Sequence, residues 1–274
     1  MTCDFNCVIS VTIMRLMIGY SFISLLIWSV WLFKMVVIND SCIGCGQCVV
    51  YCPVRAITLD RAERRSRVNL DECVECGTCY RARVCPVDAI EYPELSYPRS
   101  LRRHFSDPTS RHEVTGMPGR GTEEIKTNDV TNRFEAGEVG FCVEVGRPGT
   151  GTSIREVQKI SRMLSEFEIE FEERNPVRPM LSDVGRGEFK EELLEERVLS
   201  IILEFIVPEE RAPALLEALR GLSEKLDTVF SISLAVRISE DGSIPITGML
   251  EDMNLGYRPN AKINLGMGRL PGGA

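Results

Sequence analysis

A duplicated cysteine pattern constrains this chain more than any other feature. Asp40-Ser-Cys-Ile-Gly-Cys-Gly-Gln-Cys48 lines up with Asp71-Glu-Cys-Val-Glu-Cys-Gly-Thr-Cys79, and Cys52-Pro-Val-Arg-Ala-Ile57 with Cys85-Pro-Val-Asp-Ala-Ile90. Eight of the 11 cysteines lie between Cys42 and Cys85; Cys3, Cys7 and Cys142 are scattered. Such density means either a disulfide scaffold or a metal site. Spacing decides between them. Cysteines two residues apart, three in a row and twice over, suit soft thiolates converging on iron. Zinc sites usually come as two pairs, not as triplets with a distant fourth ligand. A chain of this kind needs a reducing compartment, which points to the cytoplasm.

Each half reads as strand, cysteine loop, short helical turn and strand. The strands are expected at Val36–Asn39 and Ala56–Leu59, then at Arg67–Leu70 and Ala89–Tyr92. The ligand runs are Cys-x2-Cys-x2-Cys-x3-Cys-Pro and Cys-x2-Cys-x2-Cys-x5-Cys-Pro. On these motifs, residues 36–92 resemble the bacterial-type two-cluster ferredoxins. The resemblance implies two 4Fe–4S clusters and one-electron chemistry at low potential. It also implies that three cysteines of one motif share a cluster with the fourth cysteine of the other. Cys42, Cys45, Cys48 and Cys85 then hold one cluster, and Cys73, Cys76, Cys79 and Cys52 the second. Gly46 and Gly77 suit the tight loop between ligands. Pro53 and Pro86 fix the backbone after the last ligand. Ile43, Val54, Ile57, Val74, Val87 and Ile90 supply an apolar sheath that limits water at the clusters. So small a domain has little core, so ligation itself should supply much of its stability. The second motif departs from the commonest pattern: Tyr80-Arg-Ala-Arg-Val84 adds two residues, and Arg81 and Arg83 bring positive charge close.

Leu16 to Phe33 is 18 residues without a charge. As a helix it would span about 27 Å, close to the apolar thickness of a bilayer. Two readings stand for residues 1–34: an anchor to the cytoplasmic membrane through residues 16–33, or an extension ahead of a true start at Met35. The cation-rich start and small-residue cleavage site of a signal peptide are missing.

Residues 94–122 read as a basic, flexible linker, with Arg99, Arg102, Arg103, Arg111 and Arg120 against few acids. Its two histidines, His104 and His112, read as surface residues. From residue 123 the periodicity changes. Strands are expected at residues 123–128, 138–146, 169–173, 197–207 and 228–239. Helices are expected at Thr152–Glu168, with Ile154, Val157, Ile160 and Leu164 on one face, and at Glu209–Leu226. The fold class is therefore α+β: a small two-cluster ferredoxin domain (35–93) plus a βαββαβ split-βαβ sandwich (123–247), with an N-terminal hydrophobic helix and a Gly/Pro-rich tail (248–274). The order of elements in the second unit is similar to that of ACT-type regulatory domains. There the matching loop meets a small effector, so Gly146, Arg147, Gly149 and Gly151 are the candidate site for a small anion. The loop is no P-loop, because the Gly-Lys-Ser/Thr ending is absent.

With a net charge of -8, sequence-independent nucleic-acid binding is not expected. The chain offers no nucleophile–base pair, metal-activated water motif or dinucleotide fingerprint. The expected function is electron transfer to a partner oxidoreductase rather than catalysis. The alternative is a redox-linked regulatory or accessory protein whose second unit binds a small molecule or docks a partner enzyme.

Overall fold

The computed structural model describes residues 35–113, 115–119, 135–146, 151–167 and 169–257. The hydrophobic segment 1–34, the strand expected at 123–128 and most of the tail lie outside these. Among the described residues, no helix is long and apolar enough to cross a membrane.

The N-terminal unit is built on two short antiparallel ladders. Its elements are β1 (Val37–Ile38), β2 (Ile57–Asp60), β3 (Arg65–Val68), the one-turn helix α1 (Thr78–Arg81) and β4 (Ile90–Glu91). β1 pairs with β4, Ile38 facing Ile90, so the last strand of the second half closes on the first strand of the first. β2 pairs with β3, Ile57 facing Val68. β3 starts two residues earlier than expected because the hairpin turn is tight. The Asp60 carboxylate accepts the N–H groups of Ala62 and Glu63, and Arg64 turns the chain at φ +51°. Val36, Ile38, Ile57, Ala89 and Ile90 pack among the cysteines.

Residues 94–122 are not a flexible linker over the part described. Ser100–Ser106 forms helix α2, burying Arg102, Phe105 and Ser106. Arg99 and Arg102, expected in solvent, instead find carboxylates and carbonyls of the flanking units. Phe105 joins the core of the C-terminal unit.

That unit follows in order as β5 (Glu138–Val145), β6 (Thr152–Ser153), α3 (Ile154–Ser165), β7 (Glu170–Phe171), β8 (Leu181–Asp183), β9 (Glu188–Phe189), β10 (Arg197–Val198), β11 (Ile201–Pro208), α4 (Ala212–Ser223), β12 (Phe230–Ala235) and α5 (Thr247–Asp252). Its main sheet runs β12-β5-β11-β7, with antiparallel neighbours throughout. Val139, Phe141, Val143 and Val145 share a face with Ile201, Leu203, Phe205 and Val207 directly opposite. Phe141 stacks on Phe205 with ring centroids 5.3 Å apart. The buried stripe of α3 (Ile154, Val157, Ile160, Leu164) and that of α4 (Leu215, Leu216, Leu219) complete this core. Ser153 caps α3 by accepting the Glu156 N–H. Cys142 is buried with Ile202 on the other face of the sheet.

The strand expected over residues 197–207 is broken at Leu199-Ser200. β10 leaves the main sheet to pair with β6, and the Leu199 N–H donates to the Ser106 hydroxyl at 2.8 Å. That break lets α2 and the β6–β10 ladder lie between the C-terminal core and the cysteine-rich unit.

Candidate metal centre

Cys52, Cys73, Cys76 and Cys79 line one pocket, walled by Val36, Val54, Ala56, Ile57, Val68 and Val74. Cys52 belongs to the first motif and the other three to the second. Cys48 lies in the field of Cys42 and Cys45. The β1–β4 ladder draws the Cys85 segment beside them, with the Asn39 N–H bonded to Ala89 O at 2.9 Å and the Cys42 N–H to Asn39 O at 3.2 Å. None of the nine described cysteines is in a disulfide. Among the described residues no three His, Cys, Asp or Glu side chains close on a single ion.

Backbone N–H groups aim at sulfur as ligation requires. Ala56 donates to Cys52 Sγ at 3.1 Å and Ala89 to Cys85 Sγ at 3.2 Å, matching positions in the repeat. Such donors favour a negative sulfur. Burial opposes it. It pushes the Cys73 thiol up to about 12, with the Glu75 charge adding to the effect. It does the same to Cys79, with Cys76 and Cys73 adding, again to about 12. Cys48 is raised by burial as well. Only a cationic centre would keep these sulfurs as thiolates at neutral pH, and an all-thiolate donor set fits iron–sulfur.

Several residues that shape the second motif were not singled out by the repeat. Where the first half has Gly44 at φ +70°, the second has Glu75 at φ +55°, fully buried. The Glu75 carboxylate accepts the Val36 N–H at 3.3 Å and the Arg99 guanidinium at 2.7 Å. Arg102 donates to the carbonyls of Leu70, Asp71 and Cys73 at 3.1, 2.9 and 2.8 Å, and pairs with Glu196 of the C-terminal unit. Arg81 donates to Cys76 O and pairs with Asp107, each at 2.6 Å. The Tyr92 hydroxyl lies 2.6 Å from the Asp107 carboxylate, and Arg103 stacks 3.7 Å over the Tyr92 ring. Burial alone would raise the Asp107 carboxyl. Hydrogen bonds from Tyr92 and Thr109 and the Arg81 charge outweigh it and hold the group below its usual value. The one sequence signal for this cluster was Glu75 standing where the matched repeat has glycine.

Of the candidate effector loop, Gly146 and Gly151 are described, and Arg147 and Gly149 lie outside. Both described glycines serve packing. A Cβ on Gly146 would stand 2.7 Å from Leu199 O, and one on Gly151 3.1 Å from Val198 O and 3.3 Å from the Val54 side chain. Their N–H groups are already used, Gly146 donating to Val229 O and Gly151 to Gly146 O. The anion-site expectation therefore finds no support in them. His112 is not a surface residue either: it is buried against Phe105, with Nε2 3.0 Å from Gly119 O.

A protein family described as a 4Fe-4S dicluster domain matches residues 36–92. The ferredoxin of Rickettsia felis is 43% identical over 102 residues, covering 36% of this chain and 90% of that protein. The ferredoxin of Streptomyces griseus is 32% identical over 90 residues, covering 33% of this chain and 80% of its own. The pyruvate synthase subunit PorD of Methanothermobacter marburgensis is 36% identical over 59 residues, covering 22% of this chain and 64% of that subunit. The chain belongs to the ferredoxin family, and it is an electron carrier of the 4Fe–4S type.

Proposed function

We propose that this chain carries two 4Fe–4S clusters and passes single electrons to a partner oxidoreductase. Cys42, Cys45, Cys48 and Cys85 hold one cluster, and Cys73, Cys76, Cys79 and Cys52 the other. The observation that carries this reading is Cys52 standing with the three second-motif cysteines around one cavity. The ligand-bearing domain is taken as residues 35–93 and the second unit as 123–247. A cytoplasmic setting follows from the need to keep eight thiolates reduced. The chain itself moves electrons and converts no substrate.

A second reading is favoured by the strap around Arg102. The C-terminal unit, ACT-like in its βαββαβ order, is fastened to the ferredoxin unit, so it docks or regulates a larger enzyme. The match to a subunit named for pyruvate synthase supports an accessory role. Anaerobic purification, with iron and sulfide counting and EPR of the reduced protein, tests both. About eight irons per chain with a reducible 4Fe–4S signal is expected. Zinc, or far less iron, would overturn the assignment. Stable co-purification with one enzyme would favour the accessory role, and rapid exchange with several acceptors the free carrier.

A further inference from the structure

The β2–β3 hairpin sets a buried hydroxyl, that of Ser66, beside the first cysteine motif. Close contacts fix the hairpin there. A Cβ on Gly44 would stand 2.3 Å from the Arg64 carbonyl, and one on Gly46 3.1 Å from the Leu59 side chain, so the hairpin packs onto the loop that carries Cys42, Cys45 and Cys48. Arg65 donates to Ile38 O at 3.1 Å and pairs with Asp40 at 2.6 Å. Along β3 the side chains alternate: Arg67 is exposed, and Ser66 before it points inward at 1% exposure.

The Ser66 N–H donates to Cys42 Sγ at 3.5 Å. The Ser66 hydroxyl is buried and has no hydrogen-bond partner among the described residues. Leaving a hydroxyl in that state is destabilising, and an alanine would fill the same inward position without the loss. The sulfur this hydroxyl stands beside is that of Cys48. Burial raises the Cys48 thiol, and Ser66 works against the rise. A hydroxyl rotor can turn its hydrogen toward a sulfur that has become negative. One residue of β3 thus serves two sulfurs of the same motif, one through its main chain and one through its side chain. The repeat does not duplicate this device. Met35 holds the place that matches Ser66, and its side chain has no donor. On the second motif the hydroxyl next to a sulfur is that of Thr78, 3.3 Å from Cys76 Sγ.

Resting on the two-cluster reading, we propose that Ser66 tunes the centre of Cys42, Cys45, Cys48 and Cys85: its N–H and hydroxyl donate to Cys42 and Cys48 and raise the reduction potential of that centre alone. The reduced state carries one more negative charge than the oxidised state. Donors aimed at the ligand sulfurs favour the more negative state. Ser66 transfers no proton and takes up no electron. It is a positioning residue that sets how firmly the first centre holds the electron a partner delivers.

The test uses the full chain, loaded with iron and handled without oxygen, in an EPR-monitored redox titration. The parent should show two reducible centres. Ser66→Ala should lower one potential, by about threefold or more against reduction (a tenfold change is about 59 mV), and leave the other in place. Thr78→Val should lower the other one. Deuterium ENDOR of the reduced protein in heavy water should show one strongly coupled exchangeable hydrogen fewer in Ser66→Ala than in the parent. The denaturation midpoint should not fall, because the hydroxyl removed has no protein partner to lose, so the change in potential is not a change in folding. Potentials within about twofold of the parent in an iron-replete Ser66→Ala protein, or lowering of the same potential by both variants, would overturn the role of Ser66 and leave the carrier reading standing. A loaded parent with no reducible 4Fe–4S signal would overturn the carrier reading itself.

Discussion

Ile43 and Val74 hold matching positions in the two cysteine motifs, yet Ile43 is 49% exposed and Val74 1%. Gly44 and Glu75 also match. The first is a bare glycine against the Arg64 backbone, the second a buried carboxylate tied to Arg99. The two halves share their ligand spacing and differ in surroundings, because α2 and the β6–β10 ladder close over the second half only. The lesson is that a symmetric ligand pattern does not make equivalent centres. What distinguishes them comes from chain far outside the motif, through Arg99, Arg102, Asp107 and Gly151.

The largest effect should come from Arg102→Met. It leaves the carbonyls of Leu70, Asp71 and Cys73 and the Glu196 carboxylate without their shared donor. Breaking a buried pair of this kind costs about 3–5 kcal/mol. Denaturant titration followed by iron–sulfur absorbance should show the second centre failing first. Loss of the first centre ahead of it would break the comparison. Next is Gly151→Val. The site has φ +73° and Val54 against it, so strain of about 1–3 kcal/mol is expected. Oxygen should then bleach the second centre nearly as fast as the first. An unchanged bleaching rate would show that Gly151 is not part of the cover.

Glu75→Gln should be milder in stability and visible in potential. Removing a negative charge between Cys73 and Cys76 favours the reduced state, so an EPR-monitored redox titration should find the second centre at a more positive potential and the first unmoved. The smallest effect is one of pH. Asp107 sits below its usual pKa in the folded chain. Its stabilising contribution is therefore complete above the ordinary aspartate value of about 3.9 and is lost as pH falls through the lower folded value. Asp107→Asn should flatten that acid limb of the unfolding curve.

The 4Fe–4S character of the cysteine repeat and the long helices α3 and α4 were legible because they rest on local spacing, whereas the β6–β10 ladder, the β8–β9 hairpin and α5 were not expected. The apolar spacing of Ile154, Val157, Ile160 and Leu164 marks the helix, and the cysteine repeat aligns without gaps until Cys79. What was not legible depends on distant partners. Arg99 and Arg102 look like part of a solvated strap until Leu70, Glu75 and Glu196 are brought to them. Gly146 and Gly151 look like an anion cradle until Leu199, Val198 and Val54 fill the space beside them. The break at Leu199-Ser200 falls where the Leu199 N–H bonds the Ser106 hydroxyl from another unit. No periodicity within the run could reveal it.

Following iron content while anaerobically purified protein is exposed to controlled oxygen tests the inequality of the two centres most directly. The structure predicts about eight irons at the start, with half lost in a fast phase and half in a distinctly slower one. Loss of all the iron in a single phase would contradict it.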